Sequence, residues 1–321
     1  MKIGKQREDI GHCRSQRLLA ILGPTASGKS SLAVNVARQV GGEIVNCDAL
    51  QMRRYLTIGT AKPSHQERAI VPHHLFDKIN PDESYSAGAY MKDSREICRE
   101  IAARGMIPIV VGGTGLYLRV LLEGIFEGPE KSGELRSRLK RISKIKGTSC
   151  LYKMLKRKDP EAAARIQPNN LTRVIRALEV AFVTGRRISE LQKSRKALQG
   201  FRVLKVGINV PREDLYDRIN CRVESMFQAG LLEEVEAVLG MGYPSSSKGF
   251  EALGYRYAMG ILSGEMSRAQ AIELTQRDTR RYAKRQLTWF RREEDVVWLT
   301  GPGEDPAATT RVVKLLEGMG R

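Results

Sequence analysis

The sequence predicts an α/β fold, in which a parallel sheet flanked by helices is interrupted by a mainly helical insertion. Three observations lead to this prediction. Residues 18–22 (LLAIL) form an apolar run that leads into a glycine-rich turn and then into apolar residues at helical spacing. The run IPIVV (107–111) is continuously apolar, as is typical of a parallel strand buried on both faces. Between about residues 125 and 200 the chain becomes charged and helix-rich, and strand character returns only afterwards.

Strands and helices are predicted along the rest of the chain from the same two periodicities. Glycines end the first two helices, at 41–42 and at 105, where a left-handed residue is the usual stop. In chain order the predicted elements are strand 18–22, helix 30–40, strand 43–49, helix 85–104, strand 106–115, strand 201–211, a long helix that contains Arg218, Arg222 and Met226, helix 267–292 and strand 295–300.

Length and composition indicate a globular chain. It has 321 residues, of which 41% are hydrophobic, enough for one large domain or two small ones. No apolar run approaches the ~20 residues that span a bilayer. The basic start lacks the apolar stretch of a secretory signal, and the five cysteines form no C-x-x-C pair. A disulfide framework and a zinc ribbon are therefore disfavoured, and we expect a reducing cytoplasm.

Basic charge is concentrated in one internal segment. The chain carries 54 Lys and Arg against 36 Asp and Glu, a net charge of +18. Residues 131–200 hold 19 of the basic and 5 of the acidic residues, so this segment alone carries +14. A module that binds phosphates is the predicted cause, and a solvated helical face on a basic protein is the alternative. We expect a basic N-terminal extension (1–17), a core (18–124 and 201–321) and a basic helical insertion (125–200).

An eight-residue motif after the first predicted strand indicates a phosphate-binding loop. It matches G-x-x-x-x-G-K-[ST] and stands between a strand and a helix, as the motif requires. Glycines let backbone N–H groups turn towards an anion, Lys29 neutralises phosphate oxygens, and the Ser30 hydroxyl can bind Mg²⁺. A chance match or a purely structural turn is the alternative. The motif consists of Gly23, Pro24, Thr25, Ala26, Ser27, Gly28, Lys29 and Ser30.

The most obvious acidic residue near this loop stands at the end of the second predicted strand. Nucleotide kinases and hydrolases usually hold Mg²⁺ with an Asp that ends an apolar strand, but here IPIVV leads into Gly-Gly-Thr. Ligands of open α/β sheets bind beyond the carboxyl ends of the strands, so Asp48 and Thr114 are expected to reach the crevice beside the phosphate loop. A turn or helix-cap role is the alternative for Asp48, and a turn role for Thr114.

Six motifs, in order between about residues 18 and 298, carry a family resemblance: GPTASGKS, DALQMRRYLTIGTAKP, VPHHLFD, IVVGGTGLYL, ALGYR and RRYAKRQLTWFR. Together they resemble the bacterial tRNA dimethylallyltransferases (tRNA isopentenyltransferases). The resemblance implies a P-loop NTPase-like α/β core with an inserted, mainly helical tRNA-binding domain. It also implies transfer of a dimethylallyl group from dimethylallyl diphosphate to N6 of adenosine 37, directly 3′ of the anticodon, in tRNAs that read codons beginning with U.

The resemblance assigns roles to individual residues. Asp48 matches the catalytic base, Thr114 the active-site threonine, and residues 23–30 the diphosphate loop, while Arg218 and Arg222 match basic residues that face the diphosphate. The residues that match tRNA contacts, or that lie near them, are Asp48, Ala49, Leu50, Gln51, Thr114, Arg136, Thr172, Arg173, Val174, Ile175 and Arg176. The chain departs from the family at three positions, since Ser, Tyr and Asp usually stand where this sequence has Ala49, Arg53 and Thr57.

The expected partners are dimethylallyl diphosphate, the tRNA anticodon stem-loop and Mg²⁺ as the cofactor, with no membrane and a monomeric chain. Three other functions stay open from the residues: an adenylate isopentenyltransferase on free AMP or ATP, a P-loop nucleotide kinase or NTPase, and a non-catalytic RNA-binding module. The basic insertion argues against the first, because a free nucleotide has little need of it.

Two weaker motifs each allow two interpretations. His73 and His74 are predicted to be structural or loop residues rather than metal ligands, because there is no cysteine partner at ligand spacing. The motif RRYAKRQLTWFR interleaves basic and aromatic residues, which is typical of nucleic-acid stacking or of an amphipathic helix.

Overall fold

The computed structural model describes residues 15–320 and divides into two compact units. The core unit comprises the described residues up to Leu121 together with those from Gln199 onward. The insertion unit is Leu122–Leu198.

The core unit is built on a parallel sheet. Within the described residues the sheet has six strands in the order β3-β2-β4-β1-β5-β6, and every pairing is parallel. This confirms the predicted α/β fold. The strands are β1 (Gln16–Leu22), β2 (Gly42–Asn46), β3 (His73–His74), β4 (Ile107–Val111), β5 (Phe201–Asn209) and β6 (Val296–Thr300).

The three central strands end at the same level. Every residue of β2 and β4 is buried, and so are the last five of β1, as their unbroken apolar runs require. Val111 at the end of β4 pairs with Ile21 of β1 on one side and with Asn46 of β2 on the other. The loops that follow these strands therefore leave the sheet side by side.

The core unit contains four helices that the sequence predicted and others that it did not. The predicted helices 30–40, 85–104 and 267–292 correspond to α1, α3 and α13, and the long helix with Arg218 and Arg222 is α10. The short edge strand β3 and the helices α2, α4, α11, α12 and α14 were not predicted. The helices of this unit are α1 (Lys29–Val40), α2 (His65–Ile70), α3 (Ala87–Ala103), α4 (Gly115–Glu123), α10 (Arg212–Gln228), α11 (Leu231–Gly240), α12 (Leu253–Leu262), α13 (Arg268–Phe290) and α14 (Pro306–Gly318).

The insertion unit is helical, and its helices pack around one apolar cluster that includes Leu139, Leu151, Leu155, Val174 and Leu178. Its helices are α5 (Gly133–Lys146), α6 (Thr148–Lys158), α7 (Pro160–Arg165), α8 (Leu171–Thr184) and α9 (Ile188–Leu191). Among the helices that the structure describes, none is both long and apolar enough to cross a membrane.

His73 and His74 make structural contacts at the sheet edge. His74 Nε2 lies 2.7 Å from Glu43 Oε2, which also accepts from Arg104, and His73 Nδ1 lies 2.7 Å from the Val71 carbonyl oxygen. Over residues 15–320, no group of three or more His, Cys, Asp and Glu side chains is arranged to hold a metal ion.

Candidate active site

Three loops meet at the carboxyl edge of the sheet. The glycine-rich loop (23–28) follows β1, residues 47–51 follow β2, and the turn 112–114 follows β4. Because β4 lies between the other two strands, its turn touches the loop after β2: a Cβ atom on Gly112 would lie 2.1 Å from the Cys47 carbonyl oxygen. The Thr114 N–H also donates to that oxygen, at 3.1 Å. Only glycine fits at 112 without separating the two strand exits.

The glycine-rich loop brings no capping side chain of its own to the start of α1. Gly28 is the N-cap of α1, with a left-handed φ of 86° and no side-chain cap. The carbonyl oxygens of Ala26 and Ser27 accept hydrogen bonds from Arg218 and from the Gly303 N–H, at 2.8 and 2.9 Å. The first N–H groups of a helix have no intrahelical partner, so this end of α1 suits an anion.

Lys29 lies at that helix start and lines the same cavity as Asp48. Burial, followed by the positive charge of Arg222, lowers the pKa of Lys29 to about 7, and the Asp48 carboxylate opposes the shift. An ammonium group that is costly to charge in the free protein is stabilised when an anion binds beside it.

Asp48 combines the turn role and the cavity position that the sequence left as alternatives. Its Oδ1 accepts from the Leu50 N–H at 2.9 Å, which closes a local turn. Its Oδ2 points towards the turn after β4, since a Cβ atom on Gly113 would lie 3.6 Å away. Burial raises the pKa of Asp48, against the opposing effects of the Leu50 N–H and the Lys29 charge. A raised pKa makes the carboxylate a stronger proton acceptor.

Thr114 holds the loop that carries Asp48. Its Oγ1 accepts from the Ala49 N–H at 3.1 Å, and its own N–H donates to Cys47. The hydroxyl proton is then directed away from Ala49. Thr114 therefore fixes the position of the Asp48 backbone from both sides.

Gln286 joins the glycine-rich loop to the turn after β4, and the sequence prediction did not include it. It is buried on α13, where its Oε1 accepts from the Thr25 N–H at 2.9 Å and its Nε2 donates to the Gly113 carbonyl oxygen at 3.0 Å. Gln286 is the one amide side chain in the motif RRYAKRQLTWFR, and this isolated amide among basic and aromatic residues was the available sign of its role.

A cavity of about 520 Å³ opens between these loops. Its polar lining includes Lys29, Asp48, Gln51, Arg222 and Arg285. Its apolar lining includes Ala33, Val34, Ile44, Leu50, Phe76 and Val111. One cavity thus offers a cationic end for an anion, a carboxylate, and an apolar wall for a short hydrocarbon chain.

Gln51 is tied to a second loop of the cavity wall. Its Nε2 donates to the carbonyl oxygens of Thr60 and Ala61, both at 3.1 Å, which leaves its side-chain oxygen as the group that can accept from a ligand. The second loop is held in turn by Glu234, which accepts from the Ile58 N–H, and by the Tyr255 hydroxyl, which accepts from Gly59.

Arg218 and Arg222, predicted together at the diphosphate, differ in their surroundings. Arg222 lines the cavity near Lys29. Arg218 is not among the residues that line this cavity, and it donates to the Ala26 carbonyl oxygen and to Glu304, at 2.8 and 2.6 Å. Of these two arginines, Arg222 is the one that lines the cavity.

The predicted tRNA contacts of the insertion unit also separate, into three groups. Thr172 and Arg173 are exposed at the start of α8, whereas Val174 and Ile175 are buried in the apolar cluster, so their side chains face away from solvent. Arg136 and Arg176 both bind Glu179, which is fully buried, and these ion pairs lower the pKa of Glu179 to about 2. These two guanidinium groups therefore stabilise the insertion unit itself.

The structure shows what each of the three residues that depart from the family pattern does. Ala49 and Thr57 enter the network through their backbone N–H groups, which donate to Thr114 Oγ1 and Glu234 Oε2, so the change of side chain spares these bonds. Arg53 is buried, and its NH1 donates to the carbonyl oxygens of residues 80, 81 and 83.

The site offers Mg²⁺ one candidate protein ligand, the Ser30 hydroxyl. Ser30 lines the cavity in the first turn of α1, next to Lys29. Mg²⁺ commonly keeps several waters and binds one or two protein ligands plus substrate phosphates. A single hydroxyl beside an anion site is compatible with an ion that arrives with its diphosphate.

Lys29 should make the binding of inorganic diphosphate depend on pH. The free protein holds Lys29 with a pKa of about 7, so at about pH 8 most of it is neutral, and an anion that favours the ammonium form draws in a proton. We expect calorimetry in buffers of different ionisation enthalpy to show more proton uptake for the wild type than for Lys29→Arg, whose guanidinium stays charged. Equal uptake by the two proteins would contradict the assignment of Lys29.

The comparisons with protein families cover almost the whole described chain. The family described as "IPP transferase" matches residues 51–293, and the family described as "Isopentenyl transferase" matches residues 16–71. The tRNA dimethylallyltransferase of Koribacter versatilis is 48% identical over 94% of this chain and 98% of its own length. The tRNA dimethylallyltransferase of Solibacter usitatus is 46% identical over 93% and 99%.

Solved structures agree with the sequence relatives. The tRNA isopentenylpyrophosphate transferase of Bacillus halodurans has a TM-score of 0.70 at 35% identity, over 94% of this chain and 96% of that one. A eukaryotic dimethylallyltransferase acting on tRNA has a TM-score of 0.81 at 26% identity, over 95% and 79%. These findings support the tRNA-directed interpretation over the free-nucleotide and kinase alternatives. The chain belongs to the tRNA dimethylallyltransferase family.

Proposed function

We propose that this chain transfers the dimethylallyl group of dimethylallyl diphosphate to N6 of adenosine 37, next to the anticodon, in tRNAs that read codons beginning with U. The observation that carries the proposal is the shared cavity of Asp48 and Lys29, which pairs a proton acceptor with an anion-binding helix start. The names of the relatives support tRNA as the substrate and a dimethylallyl group as the cargo.

Diphosphate departure requires positive charge at the leaving oxygens. As the C1–O bond breaks, the leaving diphosphate keeps the bonding electron pair. Lys29, Arg222 and the first N–H groups of α1 stabilise that charge in a site that is arranged before the reaction begins. Mg²⁺ held with the help of Ser30 would supply further charge stabilisation on the same oxygens.

Asp48 is the proposed proton acceptor for the nucleophile. The N6 amine is a poor nucleophile, because its lone pair is delocalised into the adenine ring. As the N6–C1 bond forms, one N6 proton passes to Asp48 Oδ2, the oxygen that is not closing the turn with Leu50. Thr114 keeps the acceptor in place through the Ala49 N–H.

Recognition of tRNA is assigned to the cavity mouth and to the basic insertion. The adenine must leave the anticodon-loop stack to enter the cavity, which costs a few kcal/mol and less in a loop than in a duplex. The side-chain oxygen of Gln51 is a suitable acceptor for a base edge. The segment 131–200, with its charge of +14, would grip the stem-loop backbone of a tRNA bound by one monomeric chain.

Substitution of Asp48 should separate chemistry from binding. Asp48→Asn keeps an acceptor for the Leu50 N–H but removes the proton acceptor, so we expect the single-turnover rate to fall by about 100-fold or more with the tRNA affinity nearly unchanged. The exposed Asp82→Asn is the matched control. A near-wild-type rate for Asp48→Asn would remove Asp48 from the role of base.

Loss of the Gln286 bridge should reduce catalysis more than binding. Gln286→Glu keeps the acceptor for Thr25 but sets a carboxylate against the Gly113 carbonyl oxygen, so the two loops should move apart. We expect kcat to fall about tenfold or more, because a small misplacement of reacting groups is costly. The exposed Gln270→Glu, on the same helix, keeps the acceptor for the Ser267 N–H and should leave kcat within about twofold. Equal effects of the two substitutions would exclude a positioning role for Gln286.

Salt should weaken tRNA binding steeply if the insertion unit contacts phosphates. The logarithm of the affinity is expected to fall with the logarithm of salt concentration by ~0.7 to 0.9 per phosphate contact. The exposed Arg173→Gln should make this slope shallower by the amount expected for one phosphate contact. Arg136→Gln should instead mainly lower the melting temperature, because Glu179 loses an ion pair. Lys314→Gln on α14 is the charge-matched control. A flat salt dependence would contradict the role of the insertion.

A further inference from the structure

The loop between β6 and α14, residues 301–305, packs directly on the glycine-rich loop. The Gly303 N–H donates to the Ser27 carbonyl oxygen at 2.9 Å. A Cβ atom on Gly303 would lie 2.5 Å from the Gly28 carbonyl oxygen, so no larger residue fits there without displacing one loop. A segment near the end of the chain thus covers one side of the proposed diphosphate site.

Glu304 brings a carboxylate onto this anion-binding loop. A Cβ atom on Gly28 would lie only 2.3 Å from Glu304 Oε2, which places that oxygen in contact with the N-cap of α1. Glu304 Oε1 accepts from Arg218 NH2 at 2.6 Å, and Arg218 Nε donates to the Ala26 carbonyl oxygen at 2.8 Å. Arg218 therefore bridges Glu304 and the loop.

The charges around the loop explain why a carboxylate is stable there in the free protein. Burial and the positive charge of Arg218 disfavour the charged form of Arg222, and Glu304 is the acidic group that favours it. Without an anion the two guanidinium groups repel, and one nearby carboxylate relieves part of that repulsion. With a diphosphate in the loop, the same carboxylate becomes a like charge beside the ligand.

We propose that Glu304 is an internal counter-ion that competes with diphosphate for Arg218. In the free protein Glu304 holds Arg218 in a hydrogen bond beside the glycine-rich loop. Bound diphosphate draws Arg218 away from Glu304, and the return of Arg218 to Glu304 assists release of the product. The inference rests on the proposed function, because it requires diphosphate to bind at residues 23–30.

A purely structural role for the Arg218–Glu304 pair leads to the opposite expectation. If Glu304 only braces the glycine-rich loop against α14, its loss loosens the loop and weakens diphosphate binding. If Glu304 competes with the ligand, its neutralisation strengthens that binding. The sign of the change in affinity therefore separates the two roles.

The test compares calorimetric titrations of inorganic diphosphate into the full-length wild type, Glu304→Gln and Glu317→Gln. Glu317 is an exposed acid on α14 and controls for the change in net charge. We expect Glu304→Gln to bind diphosphate about three- to tenfold more tightly, with the gain shrinking at high salt, and Glu317→Gln to match the wild type. An unchanged or weaker affinity of Glu304→Gln would overturn the proposal.

One further variant and the wild-type titration itself keep the result interpretable. Arg218→Gln should cancel most of the gain when it is combined with Glu304→Gln, since the competition acts through that guanidinium; an undiminished gain would overturn the exchange of Arg218. Failure of the wild type to bind diphosphate would reject the assignment of the loop itself, together with this inference. Wild-type binding without a gain in Glu304→Gln would reject only the role of Glu304.

Discussion

The strand β4 pairs in parallel with β1 on one side and with β2 on the other, and the site depends on this arrangement. Parallel strands end at a common edge, so the glycine-rich loop, the Asp48 loop and the turn after β4 leave the sheet together. The close approach of Gly112 to the Cys47 carbonyl oxygen sets the spacing of two of these exits. Without that spacing, the Lys29 ammonium group and the Asp48 carboxylate would not line the same cavity.

A network of hydrogen bonds from buried side chains and backbone groups keeps the loops from relaxing. Gln286 joins two of them, Thr114 holds the third, and Glu234 with Tyr255 secures the wall to which Gln51 is attached. Ala26 and Ala61 have left-handed backbone angles in these loops, with φ of 61° and 49°. Such conformations cost about 1–3 kcal/mol each and persist where surrounding contacts impose them. These hydrogen bonds therefore fix the positions of the loops that carry the charged groups of the site.

Charge serves two different purposes in this chain. In the insertion unit, Arg136 and Arg176 neutralise the buried Glu179, while Arg173 stays exposed. In the core unit, Arg222 lines the cavity, while Arg218 is paired with Glu304. The net charge of +18 thus overstates the positive charge that is free to meet a nucleic acid. Burial and pairing determine which cations remain available.

The amino-acid sequence alone determined the fold class, the helical interruption of the sheet and the family, because strand and helix periodicities and the motifs are local patterns. It also identified two candidate residues of the site. Lys29 belongs to the phosphate-loop motif, and Asp48 stands at the end of a predicted strand of the same parallel sheet. It did not reveal the short strand β3, which lacks a periodicity long enough to read, or the roles of Gln286 and Glu304. Gln286 is separated from Thr25 by 261 residues and Glu304 from Arg218 by 86, and only folding brings each pair into contact. Which arginines face a ligand was likewise decided by the tertiary structure, because a guanidinium takes the partner that lies within reach after packing.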